Sequence, residues 1–414
     1  MADDVYIVGI AMTRLGKFPD RSVKDLVREA VEGALADAGT TRDVVEAAWF
    51  SNTRQGMMEG QNVIRGQCAL RPLGFQGIPI VNVENACASA STGLGEAFAH
   101  LKAGLCDVAL VAGADKMFFP EQKEQMFKAF LGGTDVHRLK ETTAWMAEIG
   151  QGVGPAESSE GVNLHSFFMD YYAAMARLHM RLFGTTVRQI AAVAAKNHFH
   201  STLNPLSQYR QDMTIEQVLA DPPITWPLTR AMCAPISDGA AAAILCHERA
   251  LTRFGRGRAV RLAGFALTSS QDRDALDYDR HVGRMAALKA YAMAGIGPDD
   301  VDVAEVHDAC AFAEIVQTEN LGFCARGEGG PLAERGETKL GGRIPVNPSG
   351  GLVSKGHPVG ATGLIQIHEL VAQLRGEAGP RQVEGARLAA AENGGGLWGV
   401  EEAATTVTIL EAPR

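Results

Sequence analysis

Ala30-Val31-Glu32-Gly33-Ala34-Leu35-Ala36-Asp37-Ala38-Gly39-Thr40-Thr41-Arg42-Asp43-Val44-Val45 decides the fold. It reads as the end of an amphipathic helix spanning 23–38, a glycine stop, a short acidic turn and the start of a strand. The chain says it twice. Ala30, Ala34, Ala36, Ala38, Gly39, Asp43 and Val45 align with Ala286, Ala290, Ala292, Ala294, Gly295, Asp299 and Val301 at one constant offset of 256 residues. Such a duplication predicts two similar α/β units about an approximate two-fold axis. Ligand sites then tend to fall where the strand ends of both units meet.

Outward from this repeat, short β-branched runs alternate with Ala-rich helical stretches. Strands are expected at 5–10, 78–83, 108–112, 240–246, 301–306 and 388–391, and helices at 89–103, 164–183 and 361–374. Strands separated by helices argue for a mainly parallel α/β architecture. The expected division is an N-terminal half of 1–117 and 236–259, an inserted loop domain of 118–235, and a C-terminal half of 260–414. The glycine- and proline-rich insertion is placed to cover a site.

The 414 residues, 46% of them hydrophobic and 21% charged, suffice for two or three domains of about 150 residues each. A net charge of −9 disfavours nucleic-acid binding, and no apolar run reaches the ~18 residues of a membrane span. Seven cysteines without CxxC spacing fit a reducing compartment. The acidic start lacks the basic region of a signal peptide, so a cytoplasmic location is expected.

Four places can carry chemistry. Cys87, in Glu84-Asn85-Ala86-Cys87-Ala88-Ser89-Ala90, follows a strand and opens a helix, where the helix dipole favours thiolate. His357 stands in the tight loop Asn347-Pro348-Ser349-Gly350-Gly351 to Gly356-His357-Pro358, suited to acid–base work or oxyanion stabilisation. His307 ends a strand of the second repeat, followed by Asp308, Ala309 and Cys310. Glu392-Asn393-Gly394-Gly395-Gly396 permits close backbone approach, and a free N–H there can serve an oxyanion hole. His198 and His200 lack the further ligands a metal needs, and no metal is expected.

Together these motifs resemble the thiolase superfamily, most closely the sterol-carrier-protein-2-type thiolases and their bacterial and archaeal relatives. Asn85-Ala86-Cys87-Ala88-Ser89, His307-Asp308 and the loop from Asn347 to Gly363 carry the resemblance, in order, along essentially the whole chain. It implies a five-layered αβαβα fold and an acyltransferase acting on coenzyme A thioesters, with no permanently bound cofactor. By the resemblance, Cys87 would be acylated and His357 would activate it. His307 would complete an oxyanion hole for the second substrate, and the N–H groups of Cys87 and Gly394 would hold the acyl oxygen. Asn393, Ser349 and Gly350 are the accompanying substrate-binding candidates. A homodimer or tetramer is implied, and some relatives pair with a small OB-fold protein.

The chain departs from the pattern at two places. Many thiolases carry a second catalytic cysteine in a Cys-x-Gly loop near the C-terminus, where Glu392 or Asn393 stands here. The sterol-carrier type carries an acid–base cysteine two residues after the histidine. Ala309 stands there, and Cys310 comes one position later. Cys310 is the remaining candidate for the base that takes the Cα proton. A decarboxylating or retro-aldol carbon–carbon enzyme and a non-catalytic acyl-CoA-binding subunit are the alternatives.

Overall fold

A computed structural model describes residues 4–154 and 165–413. Its central sheet is built from β1 (Val5–Met12), β2 (Ala47–Ser51), β3 (Ile80–Val83), β4 (Val108–Asp115), β5 (Gly239–His247), β6 (Val260–Ser269), β7 (Val303–Glu305), β8 (Leu388–Gly395) and β9 (Ala404–Glu411). The strand order is β3-β2-β4-β5-β1-β6-β9-β8-β7. Read outward from the β1–β6 junction, the first half runs β1, β5, β4, β2, β3 and the second β6, β9, β8, β7, so each half starts with its first strand, then its last, then the one before it. The halves join antiparallel through Tyr6 opposite Arg261 and Ile7 opposite Val260. Among the described residues, five of the eight strand pairs in this sheet are antiparallel, so the sheet is mixed and not mainly parallel as expected, because the first and last strands of each half run against their neighbours.

The repeat is visible in backbone detail. β1 and β6 break register at equivalent places, around Val8 and Ala263. Each break is followed by a glycine that lets a helix lie close. A Cβ on Gly9 would stand 2.3 Å from Ala34 O, and one on Gly264 would stand 2.4 Å from Ala290 O. Those helices are α1 (Val23–Asp37) and, in the second half, the helix Val282–Ala294. A Ser22–Asp25 capping box starts α1.

Helix α1 packs one face of the first half-sheet through Leu26, Val27, Ala30, Val31 and Ala34. The helix at 282–294 covers the second half-sheet in the same way. Between the halves lie α2 (Ser89–Lys102) and α3 (Thr362–Leu374), sharing one core with both half-sheets. The layers run α-β-α-β-α, as the resemblance implies. Extended helices and a small β-ribbon follow β4 in the insertion, including the helices Phe167–Phe183 and Val187–Thr202. The start of the expected helix at 164–183 lies outside the described residues. Among the described residues, no helix is long and apolar enough to cross a membrane.

Candidate active site

Cys87 sits on a forced turn. Ala86 adopts a left-handed φ of 48°, rare for a residue with a side chain. Local bonds hold the turn: Ala86 N–H donates to Glu84 Oε1 at 2.6 Å, Asn85 N–H to Ser89 Oγ at 2.8 Å, and Ser89 Oγ to Ala86 O at 2.6 Å. The turn presents the thiol beside the α2 N-terminus, at the floor of a cavity of about 850 Å³. The expected thiolate does not form at rest. Burial pushes the Cys87 thiol up to about 12, outweighing the nearby Arg54 charge and the Gly396 N–H, which favour the anion.

His307 and His357 reach the same floor. One ligating atom of each and the Cys87 sulfur all lie within 4.8 Å of one another. The two rings meet edge to face, with centroids 5.2 Å apart. His357 is held from both sides: its backbone N–H donates to Ser237 Oγ at 3.0 Å, and its ring Nδ1 lies 2.7 Å from Thr362 Oγ1. The Thr362 hydroxyl proton goes to Pro358 O at 3.0 Å, so the hydroxyl accepts from His357 Nδ1–H. Nε2 is left with a free lone pair. Burial, His307 and Arg54 hold His357 well below the usual imidazole range, so it is neutral and able to accept a proton.

His307 is fixed by its backbone, whose N–H donates to Glu392 Oε2 at 3.0 Å. Among the described residues neither ring nitrogen has a hydrogen-bond partner, and burial lowers its pKa to about 4. It is a neutral imidazole open to the cavity. Asp308 works on structure: it accepts from Leu352 N–H at 2.7 Å and Asn197 Nδ2 at 2.9 Å, fastening the loop that carries His357.

Five expected site residues lie elsewhere. Cys310 is fully buried and does not line the cavity, whereas Ala309 does. It caps the helix Ala311–Asn320 and pairs by its backbone with Cys233. Its thiol, pushed up to about 12 by burial, is not placed as a base. Asn393 turns into the inter-helix core, accepting from Ser91 Oγ at 2.8 Å. Ser349 is consumed by a buried cluster with Glu305 and Lys355, at 2.8 and 2.6 Å. Gly350 lies against Ser201 under the same loop. Gly394 faces Glu402, and the glycine whose N–H reaches the thiol is Gly396, two residues on. Arg54, Tyr172 and Phe130 also line the cavity without having been expected there.

The three atoms are as close as ligands of one metal ion, but Arg54 puts positive charge beside them and opposes a second cation. What they define is a neutral cysteine–histidine–histidine centre at the seam of a duplicated α/β fold. A thiol, a base and an open imidazole around one hollow suit group transfer through a covalent cysteine.

Comparison with known proteins agrees. The thiolase N-terminal domain model matches residues 5–249, and the thiolase C-terminal domain-like model matches residues 264–411. The chain is 38% identical to an acetyl-CoA acetyltransferase of Methanothermobacter thermautotrophicus, over 96% of this chain and 97% of that one. It is 35% identical to sterol carrier protein 2 of Rattus norvegicus, over 94% of this chain and 69% of that one. In fold it resembles an Ltp2-ChsH2(DUF35) aldolase, with a TM-score of 0.77 and 22% identity over 99% of this chain and 98% of that one. It also resembles human mitochondrial 3-ketoacyl-CoA thiolase in complex with CoA, with a TM-score of 0.71 and 16% identity over 100% and 98%. The chain belongs to the thiolase family, and the acyltransferase class that the sequence resemblance implied stands with it.

Proposed function

We propose that this protein converts acyl-CoA and acetyl-CoA to 3-oxoacyl-CoA and CoA, or the reverse, through an S-acyl Cys87 intermediate. The observation that carries this is the approach of the Cys87 sulfur and two neutral imidazoles within 4.8 Å on one cavity floor. CoA thioesters are the substrates, and no resident cofactor or metal takes part.

With Cys310 sealed away, one imidazole serves twice. His357 Nε2 takes the thiol proton as sulfur attacks the acyl carbonyl, then gives it to the departing CoA sulfur. The same nitrogen, neutral again, takes the Cα proton of acetyl-CoA. The carbanion attacks the acyl carbon, and the released Cys87 sulfur recovers the proton from His357. His307 N–H holds the thioester oxygen while negative charge sits on it. The Gly396 and Cys87 N–H groups hold the acyl oxygen. Each such donor contributes on the order of 3 kcal/mol in a dry site.

The cavity floor lies between structural halves at 1–117 with 236–259 and at 260–414, and the insertion 118–235 supplies the cavity's outer wall. We assign a homo-oligomer on the strength of β3. It is the outer strand of its half-sheet, with Val81 and the nearby Val63 and Ile64 exposed. Such an edge invites a second copy. An OB-fold partner and a cytoplasmic location complete the reading. The aldolase neighbour, whose name joins two components, supports the first.

The decisive experiment is intact-protein mass spectrometry after incubation with acetyl-CoA. A single acetyl adduct on the wild type, absent from Cys87→Ala, is expected. An adduct persisting on the variant overturns the assignment. His307→Asn is expected to acylate yet lose Cα hydrogen exchange in acetyl-CoA, whereas His357→Asn loses both.

A further inference from the structure

Arg54 is a buried cation that, among the described residues, is in contact with no carboxylate. It follows β2 by three residues, is 9% exposed, and lines the cavity together with Cys87 and His357. Among the described residues, no carboxylate oxygen comes within 4.0 Å of its guanidinium. The two carboxylates whose charge acts on it are already engaged by other donors. Asp115 accepts from Asn52, Thr53, the Arg54 backbone N–H and Gly360, and Glu84 accepts from Ala86 N–H. Among the described residues the guanidinium has one hydrogen bond, from Nη1 to the Ala129 carbonyl. Its Nε is buried without a partner, and its plane rests 4.2 Å from the Phe130 ring centroid.

A guanidinium in this condition is costly to the fold, since desolvation is not repaid by a paired charge. Its five donors form a rigid fork that matches a carboxylate. Phe130 lies against the guanidinium, and Met117, Phe127 and Phe168 add apolar surface to the same cavity. The other cavity-lining arginines, Arg210 and Arg230, are exposed, and Arg230 is already paired with Asp221 at 2.9 Å. Arg54 alone lies deep, close enough for its charge to act on the Cys87 sulfur and on His357.

We infer that Arg54 is a specificity residue that binds a carboxylate on the acyl chain carried by Cys87, so that the preferred acyl donors are carboxyacyl-CoA thioesters of dicarboxylic acids. The inference rests on the acyl-cysteine reading above and names its substrate class. A site built to pair a charged group rejects the analogue lacking it far more strongly than an apolar pocket rejects a methylene. A neutral acyl chain leaves the guanidinium desolvated and unpaired. A carboxyacyl chain satisfies its free donors.

The test compares succinyl-CoA with butyryl-CoA, of similar length and uncharged at the tip. Single-turnover acylation of Cys87 by the wild type is expected to favour succinyl-CoA at least about tenfold in kcat/KM. Arg54→Met is expected to lower the succinyl-to-butyryl ratio by about a hundredfold, and Arg54→Lys to restore part of it. Equal preference in the wild type, or equal loss for both donors in Arg54→Met, overturns the inference; the second result would make Arg54 a support for the thiolate only. Equilibrium binding to Cys87→Ala supplies an arm without chemistry, where succinyl-CoA is expected to bind at least about tenfold tighter than butyryl-CoA. Tighter succinyl-CoA binding with no acylation of the wild type sinks the acyl-cysteine reading and leaves the carboxylate site standing. No binding preference sinks the carboxylate site itself.

Discussion

Thr362 Oγ1 accepts the Nδ1 proton of His357 at 2.7 Å while passing its own proton to Pro358 O, and this fixes the imidazole tautomer. The free lone pair belongs to Nε2 only because that hydroxyl is there. Thr362→Val keeps the shape and removes the acceptor. Nδ1 then has no fixed partner, and the wrong tautomer becomes accessible. We predict a loss of about 10–100-fold in kcat with little change in KM, as befits a residue that orients a base. Steady-state kinetics with a fold check by circular dichroism reads it. A fall in KM alone would contradict the assignment.

The resting site is neutral on both partners, and this sets its pH behaviour. A thiolate–imidazolium pair would react with iodoacetamide at a rate nearly flat through neutral pH. Here burial raises the Cys87 thiol to about 12, and His357 lies well below its usual range. The anion fraction therefore grows with every step of pH below about 12. Cys87 alkylation is predicted to rise about tenfold per pH unit from 6.5 to 9.5 without a plateau. Peptide mass spectrometry of the Cys87-containing fragment measures it. A plateau below pH 8 would show a preformed ion pair.

Gly395 lies where the C-terminal strand meets the nucleophile turn. A Cβ there would stand 2.2 Å from Asn85 O and 2.6 Å from Ala88 N, both backbone atoms that cannot swing away. Gly395→Ala must push the Cys87 turn from the Gly396 N–H. We expect a stability loss of about 1–3 kcal/mol in urea unfolding and a larger loss of acylation rate than that explains. Unchanged acylation would show that the two strands are not rigidly coupled.

The duplication was legible because helix stops and packing residues recur at a fixed spacing, and Gly9 with Gly264 shows the same constraint acting twice. Cys87, His307 and His357 were legible because each follows a strand or a tight loop in a motif. Arg54 and Gly396 were not. Arg54 sits in a stretch without a motif, and only the return of the sheet brings it beside Cys87. Gly394 and Gly396 are indistinguishable in a run of three glycines, where the register of β8 against β9 decides which N–H faces the thiol. The strand-end rule, applied to β2 as it was to β3 and β7, would have pointed at Arg54.

Cys310 and Ala309 show how much one residue matters at a strand-to-helix junction. Adjacent side chains there point in different directions, so a thiol displaced by one position leaves the cavity altogether. Ala309 lines the hollow, and Cys310 is sealed in the core below it. Cys310→Ala is therefore predicted to change kcat less than about threefold while costing about 1 kcal/mol of stability through lost packing. Ala309→Cys carries the complementary expectation. It sets a second thiol at the cavity wall, next to His307, where it can share the Cα proton with His357. Hydrogen–deuterium exchange at Cα of acetyl-CoA, followed by NMR, is predicted to quicken in Ala309→Cys and to stay near the wild-type rate in Cys310→Ala. Loss of exchange in Cys310→Ala would return the base role to the buried thiol and remove the double duty assigned to His357.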